Sequence, residues 1–124
     1  MIHGIGCDVV NHNLTQSLGW SSDRNKLRRI FSTKELELLQ DQDSNRFFSG
    51  RFAVKEAVLK CLGTGMKDGI SLTEIQVLQT KSGQPFIEIE GEVYKIAHQM
   101  GIASWHVSIS HTTNSSTAFV IAES

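Results

Sequence analysis

Two carboxylates stand at positions where packing alone would favour something else. Asp8 lies near the end of the largely apolar segment Ile2 to Val10. Alternation along that segment puts Ile2, Gly4, Gly6 and Asp8 on one face and His3, Ile5, Cys7 and Val9 on the other. Glycines weaken a strand and mark places where another group approaches the backbone, so Asp8 belongs to a face opened for close approach. Glu56 follows Phe48 and Phe52 at helical spacing, where a leucine would serve if only packing mattered. A buried carboxylate is costly unless it is paired or bound to a metal. Lys55 does not face it, because neighbouring side chains diverge on a helix. Both acids have bland readings: Asp8 as a turn or capping aspartate, and Glu56 as the partner of a cation such as Arg29 or Arg51. The chemical reading of Glu56 is a carboxylate held by a partner or a metal, and that of Asp8 an acid on a face left open for another group.

Two further segments carry reactive side chains. Lys60-Cys61-Leu62-Gly63-Thr64-Gly65 ends a helix with a lysine and two glycines, a composition that suits phosphate oxygens near the backbone. It equally suits a helix stop with a lysine complementing the dipole. It is not a P-loop, whose glycines precede the lysine and open a helix. In Trp105 to His111, Trp105, Val107 and Ile109 form a core face and His106, Ser108 and Ser110 the opposite one, with His111 at the strand end. No strand-to-helix elbow surrounds either serine, so a hydrolase nucleophile is not supported. His3, His12 and His98 lack metal-ligand spacing and are read as ordinary residues, and Cys7, on the face away from Asp8, as a core residue.

The elements that must position these groups follow from pattern. A strand covers Ile2 to Val10, and helical segments fill Asn11 to Leu39 with breaks near Gly19 and Phe31. Ser32 with Glu35 forms a capping box for a helix over Thr33 to Gln40. The strongest helix runs from Ser44, its candidate N-cap, to Leu62 before the Gly63 stop. Strands are expected at Ile75–Gln79, Phe86–Glu90, Trp105–Ser110 and Thr117–Ala122, with a turn at Ser82-Gly83-Gln84-Pro85 and a helix over Glu92–Met100. Helices and mostly antiparallel strands segregate, which is an α+β pattern.

With 124 residues, one proline, no repeat and no linker, the chain reads as a single domain, 1–124. Twelve Lys+Arg against thirteen Asp+Glu give a net charge of −1, which offers no footprint for nucleic acid or a membrane surface. The apolar runs are far short of the roughly 20 residues of a bilayer span, and no signal-peptide pattern opens the chain. Two distant cysteines make neither a disulfide scaffold nor a C-x-x-C site. A reduced, cytoplasmic protein is expected.

The order of the motifs is more specific than any one of them. Gly4-Ile5-Gly6-Cys7-Asp8, Gly50-Arg51-Phe52-Ala53-Val54-Lys55-Glu56-Ala57, Lys60 through Gly65 and Ser108-Ile109-Ser110-His111 together resemble the 4′-phosphopantetheinyl transferase superfamily. The likeness covers nearly the whole chain, including Arg29-Ile30-Phe31-Ser32 and Gly83-Gln84-Pro85. The length and the Gly-Thr-Gly are similar to its small branch, the holo-acyl-carrier-protein synthases of fatty acid biosynthesis and lipid metabolism.

That resemblance implies an antiparallel sheet packed with one long and several shorter helices, and a homotrimer with active sites at subunit interfaces. It implies transfer of the phosphopantetheine arm of coenzyme A to a serine of an apo acyl carrier protein, releasing adenosine 3′,5′-bisphosphate. Asp8 and Glu56 would hold Mg²⁺ together with the pyrophosphate. Lys60 and His111 would meet phosphates, Arg51 and Arg46 the 3′-phosphate or adenine end, and Gly63, Thr64, Gly65 and Ser110 would complete the coenzyme A site. Glu56, a water on the metal or His111 would take the serine proton. Val10 stands where the larger branch carries another acid.

Three departures from the family's pattern stand out: Asn11 replaces its usual Glu, Leu14 the Arg that grasps the carrier, and Gly-Gln-Pro its Gly-Lys-Pro. Carrier recognition would then fall to Arg24, Lys26, Arg28 or Arg29. Two other readings stay open: a coenzyme A-binding protein that has lost carrier engagement, and a Mg²⁺-dependent pyrophosphate hydrolase.

Overall fold

The computed structural model describes residues 1–39, 44–63 and 69–124. Strand β1 (Ile2–Asn11) leads into α1 (His12–Ser17), a 3-10 turn at Trp20–Ser22, α2 (Arg24–Arg28) and α3 (Thr33–Glu37). Next comes the long helix α4 (Ser44–Leu62). The hairpin β2 (Ile75–Gln79) and β3 (Pro85–Ile89) follows, then α5 (Gly91–Gln99), β4 (Ser104–His111) and β5 (Ser115–Glu123). Both sheets are antiparallel, one ordered β1-β5-β4 and the other β2-β3. The α+β expectation holds. Among the described residues no helix is long and apolar enough to cross a membrane.

Local chemistry accounts for most boundaries. Asn11 caps α1 by accepting from the Asn13 N–H, and Asp23 caps α2 by accepting from those of Asn25 and Lys26. Ser32 and Glu35 form the capping box expected at α3, which ends at Glu37; Gln40, the expected end, lies outside the described residues. Ser44, the candidate N-cap, is helical at the start of α4, and the residues just before it lie outside the described ones. At the far end Gly63 has φ +71°, the left-handed stop that glycine adopts without strain.

Helix α4 packs on the inner face of the three-stranded sheet. Ala53, Val54, Ala57 and Val58 are buried against Ala118, Val120 and Ala122 of β5 and Val77 of β2. The contact with β1 is closer than ordinary side chains allow: a Cβ at Gly4 would run into the Cys61 carbonyl oxygen, and one at Gly6 into that of Ala57. The group for which these glycines make room is therefore the helix backbone. This fixes the faces of β1, and it corrects the sequence reading of Cys7. The inner face is Gly4, Gly6, Asp8 and Val10, whereas Cys7 is an exposed free thiol on the outer face. Inward space there is taken by helix, so only small or functional residues fit.

A second apolar cluster joins α4 to the first half of the chain. Trp20, Leu27, Phe31, Phe47 and Phe48 are buried together, with Phe52 against them. The rings meet edge to face, with centroids 5.6 Å apart for Trp20–Phe31 and 5.3 Å for Trp20–Phe52.

Between these clusters lies a fully buried ion pair. Lys55 Nζ donates to Glu35 Oε1 at 2.7 Å, to the Leu72 carbonyl at 2.9 Å and to the Ile75 carbonyl. Glu35 Oε1 also accepts from the Ser32 N–H, and Oε2 from the Val77 N–H. Burial pushes the Lys55 ammonium down to about 8, while the Glu35 charge acts against that fall. Lys55→Met strands the Glu35 carboxylate without its cation, and urea denaturation should read a loss of about 3–5 kcal/mol. Combining it with Glu35→Gln should cost less than the two single losses added together, as coupling within one network requires.

Candidate active site

The approach of α4 to β1 determines where the two acids meet. With Ala57 and Cys61 seated on Gly6 and Gly4, the residues just before them, Glu56 and Lys60, flank the strand. Asp8 faces inward from β1 beside Ala118 of β5, which leaves it room. Lys60 Nζ donates to the Cys7 carbonyl at 2.8 Å and pairs with Asp8 Oδ1 at 3.2 Å. Glu56 is half-buried, and its carboxyl is pushed above the usual range by burial first and by the Asp8 charge second, with Lys60 opposing. The two acids, remote in sequence, share one electrostatic site.

Among the described residues no group of three or more His, Cys, Asp or Glu could hold a metal ion. Asp8 and Glu56 are the two carboxylates that act on one another here. Asp8 caps none of the described helices, and Arg51, one of the two arginines proposed as a partner for Glu56 beside Arg29, is engaged elsewhere. Its Nε donates to the Val77 carbonyl at 3.1 Å, one terminal nitrogen donates to Gln79 at 3.0 Å, and the guanidinium lies over Phe47.

His111 stands one row further along the same inner face, since Asp8, Ala118 and Ile109 form one row across the sheet and Val10, Ser116 and His111 the next. Its ring lies against Gly50 of α4, where a Cβ would come within 2.9 Å of His111 Cε1. Its Nδ1 is 2.7 Å from Ser116 Oγ. Burial, followed by the charges of Arg46, His12 and Arg51, holds the imidazole below its ordinary pKa.

The structure thus brings Asp8, Glu56 and Lys60 together and sets His111 and the exposed Arg46 beside the same helix. It does not bring Arg51 to this group: that side chain is buried toward β2, where burial lowers it to about 10. Ser110 is exposed on the outer face, opposite to His111. Gly63 ends the helix with open space around it. Thr64 and Gly65 lie outside the described residues.

Sequence reasoning missed His12 and Ser116. His12 Nε2 is 2.9 Å from Ser116 Oγ, and both residues are buried. The alternation of Ala118, Val120 and Ala122 extends back to Ser116, but a strand started at Thr117 leaves it out.

The family model of the 4′-phosphopantetheinyl transferase superfamily matches residues 4–120. This chain belongs to that superfamily. It is 40% identical to a holo-[acyl-carrier-protein] synthase of Hydrogenovibrio crunogenus, over 100% of this chain and 98% of that one. The crystal structure of holo-[acyl-carrier-protein] synthase from Neisseria meningitidis superposes with a TM-score of 0.89 at 30% identity, covering 100% of both chains. The Helicobacter pylori synthase, solved in complex with coenzyme A, gives a TM-score of 0.82 at 26% identity, covering 96% of this chain and 99% of that one. The chain is accordingly a transferase of this superfamily, with the antiparallel sheets and long helix of those neighbours.

The pairing of the acids has a direct readout. Asp8→Asn removes the negative charge that raises Glu56, so carbon-detected NMR titration should place the Glu56 midpoint lower than in the parent chain. An unchanged midpoint would mean that the two carboxylates do not sense one another.

Proposed function

We propose that this chain is a holo-[acyl-carrier-protein] synthase acting through Mg²⁺. The serine oxygen of an apo acyl carrier protein attacks the phosphorus that bears the pantetheine arm of coenzyme A. The new P–O bond replaces the one to adenosine 3′,5′-bisphosphate, which leaves with the electron pair, and the serine proton passes to a base. The convergence of Asp8 and Glu56 beside Lys60 carries this reading.

The donor set suits the metal. Mg²⁺ takes hard oxygens, keeps several waters and is usually held by one or two carboxylates plus substrate phosphates. Asp8 and Glu56 supply the carboxylates, and the pyrophosphate supplies the phosphate oxygens. When bound, the ion neutralises phosphate charge and stabilises the leaving oxygen. Lys60 pairs with Asp8, yet its side chain is half exposed, so the ammonium can turn toward a phosphate. Arg46, exposed at the start of α4, supplies a cation for the 3′-phosphate end. His111 lies on the same face as a candidate base, its imidazole held below the ordinary pKa by burial first and by Arg46, His12 and Arg51 after it.

The outer sheet face supports assembly. Ile5 pairs across with Ile121, and Cys7 with Phe119; Ile5, Val9, Phe119 and Ile121 are all exposed. A contiguous apolar face of this kind fits an interface with further copies of the chain, and we assign it to a homotrimer. The carrier surface falls at α2, where Arg24 and Arg28 flank a cleft of about 600 Å³ floored by Leu27, Leu36 and Phe48. The second reading, coenzyme A binding without efficient carrier use, draws on the exposed Leu14 in place of a cation.

Incubation with coenzyme A, Mg²⁺ and apo carriers, followed by mass spectrometry of the carrier, separates these readings. Transfer is expected; coenzyme A binding with no arm on any carrier would favour the second reading, and bisphosphate release without carrier would indicate a hydrolase. Asp8→Ala and Glu56→Ala should each lower transfer by about a hundredfold or more while circular dichroism stays unchanged, as loss of an electrostatic stabiliser requires. Leu14→Arg should raise kcat/KM toward strongly acidic carriers and make it more salt-dependent, a change that steady-state assays at two ionic strengths would detect.

A further inference from the structure

The hydroxyl of Ser116 sits between two imidazoles, 2.9 Å from His12 Nε2 and 2.7 Å from His111 Nδ1. All three groups are withdrawn from solvent: Ser116 is fully buried, His12 is buried and His111 partly so. A hydroxyl has one proton, so when it donates to one ring it must accept an N–H from the other. The tautomers of the two histidines are therefore linked. In one arrangement His111 Nδ1–H donates to Ser116, which donates to His12 Nε2, and His111 Nε2 keeps a lone pair. In the reverse arrangement His111 accepts at Nδ1 and carries its proton on Nε2.

Charge on the open side of the ring distinguishes them. The Cε1 and Nε2 edge of His111 faces Gly50, at 2.9 and 3.7 Å from a Cβ placed there. Arg46 precedes Gly50 by one helical turn on that face of α4, and its positive charge acts on His111. A cation there favours a lone pair over an N–H. The other charged groups acting on the ring are Arg51, on the same helix, and His12, on α1. The first arrangement also survives proton uptake unchanged, because an imidazolium still donates from Nδ1 to Ser116, whereas the reverse one needs the hydroxyl to turn.

We infer that Ser116 is a positioning residue: by accepting from His111 Nδ1–H and donating to His12 Nε2, it holds His111 with a bare Nε2, ready to take the carrier serine proton. The serine proton moves to Nε2 as the serine–phosphorus bond forms and the bisphosphate departs. This assignment of the base rests on the transferase reading; the tautomer coupling does not.

Two-bond proton–nitrogen correlation spectra of the ¹⁵N-labelled full chain read the tautomers without turnover. His111 is expected with its proton on Nδ1, and Ser116→Ala, which removes the acceptor of that proton, should shift the population toward Nε2–H. In transfer assays Ser116→Ala should lower kcat about tenfold with KM for coenzyme A unchanged and the acidic limb of the pH profile displaced, and Ser116→Thr should restore both. His111 carrying its proton on Nε2 in the parent chain, or a tautomer indifferent to Ser116→Ala, would overturn the coupling. Intact coupling with an unaltered pH profile would overturn the role in proton transfer. Intact coupling in a chain that modifies no carrier would instead remove the transferase reading.

Discussion

The ion pair between Lys55 and Glu35 is the constraint on which the rest of the structure depends. All of its polar atoms are sealed from water, and every ammonium proton has an acceptor. Because Glu35 also receives the N–H groups of Ser32 and Val77, one carboxylate ties the start of α3 to β2, and one lysine ties both to the middle of α4. Taking two charges out of water is costly, and such a pair persists only when its geometry is complete. It therefore fixes the rotation of α4 about its axis. Turning the helix to relieve any other contact would leave a bare charge in the core.

That rotation gives Glu56 its position. Consecutive helical residues diverge by about 100°, so when Lys55 points into the sealed region between α3 and β2, Glu56 is carried round toward β1. There Gly4 and Gly6 let the helix backbone settle where side chains would otherwise hold it off. Asp8, next on the same face of the strand, pairs with Lys60 and acts electrostatically on Glu56. The meeting of Asp8, Glu56 and Lys60 is thus assembled from two structural arrangements, a pair that sets the helix angle and a strand that sets its distance.

Arg51 and Gly50 show how densely α4 is used. Arg51 leaves the helix one residue after Gly50 and is consumed by β2, which anchors the hairpin to the helix. Gly50 leaves space for the His111 ring, so the end of β4 can approach the helix that carries both Arg46 and Glu56. Each side chain in this stretch serves either the core or the site, and position along the helix decides which.

Much of this was legible in the sequence. The capping box at Ser32 and Glu35, the bounds of α4, the Gly63 stop and the β2–β3 hairpin follow from local chemistry, which acts between residues close in the chain. The acids themselves stood out because each breaks an apolar pattern, and the order of the motifs carried the family. What the sequence could not supply was the partner of each group. Period-two alternation separates two faces of a strand without saying which is inner, so the pattern suits Cys7 to the core equally well, and the helix resting on Gly4 and Gly6 decides otherwise. The resemblance implies that Arg51 meets the 3′-phosphate or adenine end, and nothing local reveals that its guanidinium also binds β2. Glu35 looked like a cap alone, and its second role needs Lys55 from a distant helix; His12, likewise, acquires its meaning only when β5 brings Ser116 to it. Spacing along the chain determined which residue types were available for chemistry, and long-range packing decided which of them meet, because burial and pairing depend on neighbours that the backbone brings together only once it has folded.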